Sequence, residues 1–183
     1  MRKTFLFLSL AFIASSCNNG GSTDANNADS SKKDGAKTEG LVYPYKLEKG
    51  YKDWQPGDQK HVVTVMNGLK AFENGDIKAC LATFGDSVEV FFDGLRERMS
   101  NDSLGRFFAK QRAGYKSMRI DMQDWESVIS KDGKEEWVTL WYKQVWTDQK
   151  GVTDSLAVID DAKIEKGKAV VLDEKVQRYP KKK

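Results

Sequence analysis

Three acidic residues, Asp93, Asp124 and Asp160, could carry acid–base chemistry in this sequence. A carboxylate acts as a general base only when burial or a neighbouring group tunes its pKa. Asp124 is the first candidate, because the strand register described below places it beside Trp141. Asp160 and Asp161 are a weaker pair, since neighbours in a strand point to opposite faces. The alternative for each acid is an ordinary solvated or turn residue, which is the commoner case.

The sequence lacks the residue patterns of other common catalytic sites. The single histidine, His61, falls in the first turn of a predicted helix, where a surface histidine is the ordinary interpretation. No group of His, Cys and carboxylates has metal-ligand spacing. Neither a serine nucleophile elbow nor a phosphate loop is present. We therefore expect no metal and no cofactor, and the identity of a catalytic residue stays open.

The charge balance argues against a nucleic-acid partner. The sequence has 30 Lys and Arg residues against 27 Asp and Glu residues. The only run of positive charge is the tail at residues 181–183. Nucleic-acid binding needs a basic patch or stripe that neutralises phosphates, so we expect none.

Hydrophobic periodicity predicts three helices that would position these residues. Apolar residues at three- and four-residue steps predict a helix over 58–75, with Asp58 as its N-cap and Gly75 at its end. A short second helix is predicted over 77–83, with Asp76 as its N-cap. The third is predicted over 101–117. All three precede the long strands.

The rest of the pattern is typical of strands. β-Branched and aromatic residues predict one short strand and four long ones: 88–92, 118–130, 134–147, 153–164 and 169–179. The order favours an α+β fold, in which the three N-terminal helices cover one face of a strongly bent antiparallel sheet.

The first hairpin has aromatic residues on both predicted faces. A two-residue turn at 132–133 places Asp124 opposite Trp141 and Gln123 opposite Tyr142, and a bulge would exchange the faces beyond it. Two apolar faces need two coverings, so we expect a homodimer through the outer sheet face. The alternative is that aromatic residues simply occur on strands.

The N-terminal sequence predicts that the protein is located in the cell envelope. A basic end, a short apolar run and small residues indicate a signal peptide over 1–16. The stretch FIASSC resembles a bacterial lipoprotein box, which implies that Cys17 is acylated and anchors the chain to a membrane. An ordinary secretory signal is the alternative. Asn and Gly residues after Cys17 favour the periplasmic side.

Composition divides the remainder of the chain. Residues 18–40 contain almost nothing apolar beyond Ala, and we therefore predict a lipidated cysteine followed by a flexible tether over 17–45. A single domain is predicted over 46–183, with its core at about 58–179.

Two short stretches resemble the nuclear transport factor 2-like superfamily and its SnoaL-like branch. FENGDIKACLATFGDSVEVFFDG resembles the segment that links the first helices to the first strand, and IEKGKAVVLDEKVQ resembles the last turn and strand. Lys166 replaces the usual Asp of that turn, and Ala169 replaces the usual Ile. The resemblance implies a cone-shaped sheet with a cavity open at one end. Some members of the superfamily are lyases, isomerases or epoxide hydrolases.

Aromatic walls with few polar groups suit ligand binding. We expect a non-catalytic cone that binds a small amphipathic ligand or a protein partner. The alternatives are a SnoaL-like lyase or isomerase that uses a cavity aspartate as general base, and an assembly subunit with a filled cone. The predicted ligand-binding residues are Trp141, Tyr142, Trp125, Phe91 and Tyr115.

Overall fold

A computed structural model of the protein describes residues 43–48 and 52–179. The predicted signal peptide, Cys17 and most of the predicted tether lie outside these residues. In the described part, no helix has the length and apolar character needed to cross a membrane. The elements, in chain order, are β1 (Gln55–Pro56), α1 (Gln59–Asn74), α2 (Ile77–Leu81), β2 (Phe84–Phe92), β3 (Leu95–Ser100), α3 (Asn101–Ala113), β4 (Tyr115–Ile129), β5 (Glu136–Asp148), β6 (Thr153–Glu165) and β7 (Lys168–Arg178).

The helix boundaries follow from capping residues. The Asp58 carboxylate accepts the N–H of Lys60 at 2.9 Å and begins α1. Gly75 ends α1 with φ of 81°, a left-handed conformation that favours glycine. Asp76 caps α2 in turn. The predicted caps of α1 and α2 are confirmed, whereas α3 ends at Ala113, earlier than predicted.

Seven strands form one unclosed, curved sheet in the order β1-β4-β5-β6-β7-β2-β3. The α+β prediction is confirmed, with two corrections. The sheet is mixed, because β2 pairs parallel with β7. The prediction of one short and four long strands also missed β1 and β3. The sequence of β3, LRERMS, lacks apolar alternation, and it pairs with β2 because the chain turns back at Gly94, where φ is 75°.

The predicted register between β4 and β5 holds for half of the hairpin. Asp124 lies opposite Trp141, as predicted. A β-bulge between Met122 and Asp124 then shifts the pairing, so Met122, and not Gln123, lies opposite Tyr142. The predicted faces are therefore wrong beyond this bulge.

The core lies on one face of the long strands. We call this the inner face and define it by Val138, Leu140 and Tyr142 of β5, which are 0–1% exposed. Helix α1 packs on this face through Val62 and its neighbours. A second cluster, centred on Leu104 of α3, joins the helices to β2 and β7. The opposite face of β5, which carries Trp137, Thr139 and Trp141, is called the outer face.

Candidate functional site

A cavity of about 280 Å³ lies between the inner face and the helices. Its wall is mainly aromatic and aliphatic, with a few carboxyl, hydroxyl and amide groups. The lining residues are Val65, Gly68, Leu69, Phe72, Cys80, Phe84, Phe92, Asp93, Phe107, Phe108, Gln111, Tyr115, Tyr142, Gln144, Leu156, Asp160, Leu172 and Glu174. A small apolar cavity with convergent polar groups is the usual form of a ligand site.

Asp160 is the most deeply buried acid of this cavity. It lies on the inner face of β6 and is 6% exposed. Its Oδ2 accepts a hydrogen bond from the Tyr142 hydroxyl at 2.8 Å. Its Oδ1 has no hydrogen-bond partner within the described part of the protein. A buried acceptor without a partner costs stability, and the residue that carries it belongs to the cavity wall.

A second carboxyl group faces Asp160. Glu174 of β7 lies directly opposite Asp160 in the antiparallel ladder. Directly opposed residues share a face and have Cβ atoms about 5 Å apart. This pairing depends on a bulge that shifts the β6–β7 register between Lys163 and Ile164. The two strands thereby place two carboxyl groups on one wall of the cavity.

The surroundings favour the protonated forms of both acids. Burial, followed by the charge of Glu174, raises the pKa of Asp160 to about 8, although the Tyr142 hydrogen bond opposes the shift. Burial raises the pKa of Glu174 to about 7. Burial also raises the pKa of Tyr142 well above its usual value, with the Asp160 charge adding to the effect. The pair can therefore hold or release a proton near neutral pH.

Aromatic residues form much of the cavity wall. The rings of Phe92 and Phe107 stack with centroids 5.3 Å apart. Tyr115 contacts Trp146 at 5.7 Å between centroids, and burial raises the pKa of the Tyr115 hydroxyl. These contacts fix rigid apolar surface beside the polar groups.

Cys80 is the one thiol among the lining residues. It is buried, and burial followed by the charge of Asp76 raises its pKa to about 12. A thiol is a nucleophile only as the thiolate. Cys80 therefore contributes apolar surface to the cavity and not a nucleophile.

The structure separates the three acids that the sequence singled out. Asp160 lies in the cavity. Asp93 lines the cavity from the exposed turn after β2. Asp124, the first candidate, is exposed on the outer face beside Trp141, and its Oδ1 accepts the N–H of Trp125 at 2.9 Å. The proposal of Asp124 as a cavity base is thus wrong.

The five predicted ligand-binding residues divide in the same way. Tyr142 and Tyr115 line the cavity. Trp141 lies on the outer face, and so does Phe91, whose ring lies 4.8 Å from the Arg96 guanidinium carbon. Trp125 is half exposed and lines a separate groove beside Pro56. Successive strand residues point to opposite faces, which explains why Tyr142 and Trp141 differ.

His61 stands apart from the cavity. Its Nδ1 lies 2.6 Å from Glu136 Oε1, and this contact joins the first turn of α1 to the start of β5. Across residues 43–48 and 52–179, no three His, Cys, Asp or Glu side chains are grouped so that they could hold a metal ion.

Sequence reasoning missed three polar groups of the cavity, those of Glu174, Gln144 and Gln111. Gln144 follows Tyr142 by two residues on β5, so alternation alone could have placed it on the inner face. Glu174 could not be placed in this way. The tight turn at Lys166-Gly167 would put Asp173 opposite Asp160, and only the bulge brings Glu174 there.

Comparisons with known proteins show the fold. No family model matches the chain, and no curated protein matches it. Among solved structures, AusH from Aspergillus nidulans is similar with a TM-score of 0.54 and 14% identity, covering 67% of this chain and 87% of AusH. An LEH-like epoxide hydrolase from M. tuberculosis is similar with a TM-score of 0.53 and 14% identity, covering 66% of this chain and 80% of the hydrolase.

A third similar structure is a nuclear transport factor 2-like protein of unknown function from Burkholderia pseudomallei. Its TM-score is 0.53 at 18% identity, with coverage of 64% of this chain and 91% of that one. Identities this low establish architecture and leave activity open. The similarity to these structures shows that the chain has the nuclear transport factor 2-like fold.

Proposed function

We propose that this protein is held in the cell envelope through an acylated Cys17 and binds a small, mainly apolar molecule in its cavity. The observation that carries the binding proposal is the Asp160 carboxyl group, which is buried, has one oxygen without a partner among the described residues and belongs to the wall of a largely aromatic cavity. A ligand with one polar end would provide the missing hydrogen bond and cover the apolar wall.

The size of the cavity limits the ligand. At about 280 Å³ it lies at the lower edge of the range of about 300–1,000 Å³ typical of small-molecule sites. The ligand, or the part of it that enters, is then a single ring system or a short branched chain.

Native mass spectrometry of the full-length protein in detergent, after exposure to a cell-envelope extract, tests the binding proposal. The wild-type protein should retain an extra small mass. Leu156→Trp would fill the cavity from β6 and should remove that mass. Ile159→Trp places the same side chain on the outer face of the same strand and should retain it. Loss in both variants, or in neither, would argue against binding in the cavity.

A second function, proton transfer by Asp160, is supported by one further observation. Its pKa of about 8 lies close to the working pH, which is the condition for an effective general acid or base. The reaction would be a lyase or isomerase step, in which Asp160 takes a proton from carbon and returns it. Tyr142 would orient the carboxylate through its hydrogen bond.

Deuterium incorporation distinguishes catalysis from binding. The ligand recovered from the extract is incubated with protein in D₂O, and its mass is followed. Wild-type protein should incorporate deuterium at carbon, and Asp160→Asn should not. Retained binding without incorporation in the wild-type protein would leave the binding proposal standing and reject the catalytic one.

The predicted homodimer stays a prediction. The outer face carries two half-buried indoles, Trp137 and Trp141, on outward positions of β5 that are separated by Thr139, and a second copy of this face would cover them. Sedimentation of the wild-type protein should give a dimer and Trp141→Glu a monomer. A wild-type monomer at high concentration would contradict it.

Anchoring through Cys17 also stays a prediction. Wild-type protein should partition into detergent, and Cys17→Ala should leave the protein in the aqueous phase if one acylated cysteine provides the anchor.

A further inference from the structure

The charged groups of the cavity all have one sign. Its lining includes three carboxyl groups, those of Asp93, Asp160 and Glu174. Its other polar side chains are phenols, amides and a thiol. Among the described residues that line it, none is a lysine, arginine or histidine. An anionic ligand would find no counterion on this wall.

Among the described residues, the elements around the cavity place no lysine, arginine or histidine in its wall, and only the charge of Lys175 on the outer face acts on Asp160 to lower its pKa. Helices α1 and α3 line the cavity with apolar side chains and Gln111. Strands β4 and β5 contribute phenols, Tyr115 and Tyr142, and α2 contributes the protonated Cys80 thiol. On β6 and β7 the charged neighbours Asp161 and Lys175 lie on the outer face, 2.7 Å apart.

The aromatic wall adds a second attraction for positive charge. Five phenylalanine rings line the cavity. The faces of aromatic rings attract cations, most strongly where water is excluded. The five phenylalanines of the cavity wall are Phe72, Phe84, Phe92, Phe107 and Phe108.

We propose that the polar end of the ligand is a protonated amine, which donates to the carboxyl groups of Asp160 and Glu174. This inference rests on the proposed ligand binding in the same cavity and names the chemical class of the ligand. The amine donates N–H bonds to two acceptors that face each other across β6 and β7. At about pH 8, where the pair has lost protons, like charge disfavours carboxylates and phosphates.

Binding of an amine should release a proton. Without a ligand, the raised pKa values of Asp160 and Glu174, about 8 and about 7, leave the pair at least partly protonated at neutral pH. An ammonium group enters with its own charge, and a carboxyl proton leaves to solvent, so the total charge balances. Affinity for the amine should therefore rise as pH rises from about 6 to about 8, by up to tenfold per pH unit for one released proton.

Titration calorimetry with three ligands of similar shape tests the inference. The probes are cyclohexylmethylamine, cyclohexylmethanol and cyclohexanecarboxylate, and the sample is the full-length protein in detergent. The amine should bind at least tenfold more tightly than the alcohol at about pH 8, and the carboxylate should not bind. Two buffers with different ionisation heats count the released protons.

Variants at neighbouring positions provide matched controls. Asp160→Asn and Glu174→Gln should each reduce the preference for the amine and the pH dependence. Asp161→Asn removes a carboxylate one residue away on the outer face and should leave both unchanged.

The outcomes separate this inference from the proposed function. Equal affinity for the amine and the alcohol at both pH values, abolished for both by Leu156→Trp, would overturn the amine and keep the binding cavity. Tighter binding of the carboxylate, or no binding of the amine to wild-type protein at pH 8, would also overturn it. The proposed ligand binding itself would be rejected only if, in addition, no molecule from the envelope extract bound in the cavity.

Discussion

Asp160 and Asp161 are consecutive residues of β6 and lie on opposite faces of the sheet, in different surroundings. Asp160 points to the inner face, where Tyr142 is its one hydrogen-bond partner in the described residues. Asp161 points to the outer face, where Thr139 Oγ1 donates to it at 2.6 Å and Lys175 Nζ lies 2.7 Å away. Burial raises the pKa of Asp160 to about 8, whereas Asp161 has a cation beside it in solvent.

The difference between the two faces indicates where function lies. On the outer face a lysine pairs with the carboxylates. Lys175 contacts Asp161 at 2.7 Å and Asp173 at 2.9 Å. The inner face places Glu174, a second acid, opposite Asp160. Such an arrangement costs folding stability, so the inner pair is the better candidate for a functional site. The predictions below test this contrast, from the largest expected effect to the smallest.

Shortening a core side chain should show the largest contrast. Leu140→Ala on the inner face should lower the free energy of unfolding by about 2–5 kcal/mol, because Leu140 is fully buried. Trp141→Ala, its neighbour on the outer face, should cost less at protein concentrations where dimers are absent. Urea unfolding measures both. Equal losses in the dilute protein would show that the outer face is part of the core.

Removing each aspartate should change the pH dependence of stability in different ways. The pKa of Asp160 is about 8 when folded and about 4 when unfolded, so the folded state binds more protons between these values. Its contribution to the free energy of unfolding is therefore fully present below about pH 4 and is lost as pH rises toward 8. The slope is at most about 1.4 kcal/mol per pH unit for one proton.

Asp160→Asn should flatten this slope and stabilise the protein relative to wild type near pH 8. Asp161→Asn should keep the wild-type slope. Burial raises the pKa of Glu174 as well, so Glu174 also makes stability fall as pH rises. Glu174→Gln should therefore remove a further part of the pH dependence of stability. Thermal unfolding over a pH series measures these changes. A wild-type slope in Asp160→Asn would show that Asp160 does not titrate as the structure indicates.

Loss of the Tyr142 hydroxyl should have an intermediate effect. Tyr142→Phe leaves a second oxygen of Asp160 without a donor, at a cost of about 1–3 kcal/mol above the pKa of the acid. It should also raise the pKa of Asp160 further, because the hydrogen bond favours the carboxylate. Carboxyl ¹³C chemical shifts over a pH titration report that pKa. A lower pKa in this variant would contradict the assigned bond.

Loss of the outer lysine should have the smallest effect. Lys175→Met removes both contacts to Asp161 and Asp173, but the lysine side chain is 52% exposed. Exposed ion pairs contribute about 0–1 kcal/mol and weaken with salt. Chemical unfolding at low and high salt measures this change. A loss above this range would mean that the outer face is desolvated, as a dimer would make it.

Several features of the protein followed from local sequence. Asp58, Gly75 and Asp76 predicted the ends of α1 and α2, because capping uses side chains and conformations of adjacent residues. β-Branched and aromatic residues between turn signals predicted the four long strands. Strand alternation placed Asp160 and Asp161 on opposite faces without any knowledge of the fold.

The tertiary structure decided which face is which and what lies opposite. One bulge in β4 brings Met122 opposite Tyr142, and one bulge in the β6–β7 ladder brings Glu174 opposite Asp160. A single inserted residue exchanges the two faces of a strand beyond it, and the strand sequence carries little sign of where it occurs. The helices that pack on the inner face bury Asp160, whereas Asp161 on the other face stays partly exposed, since burial depends on contacts distant in sequence.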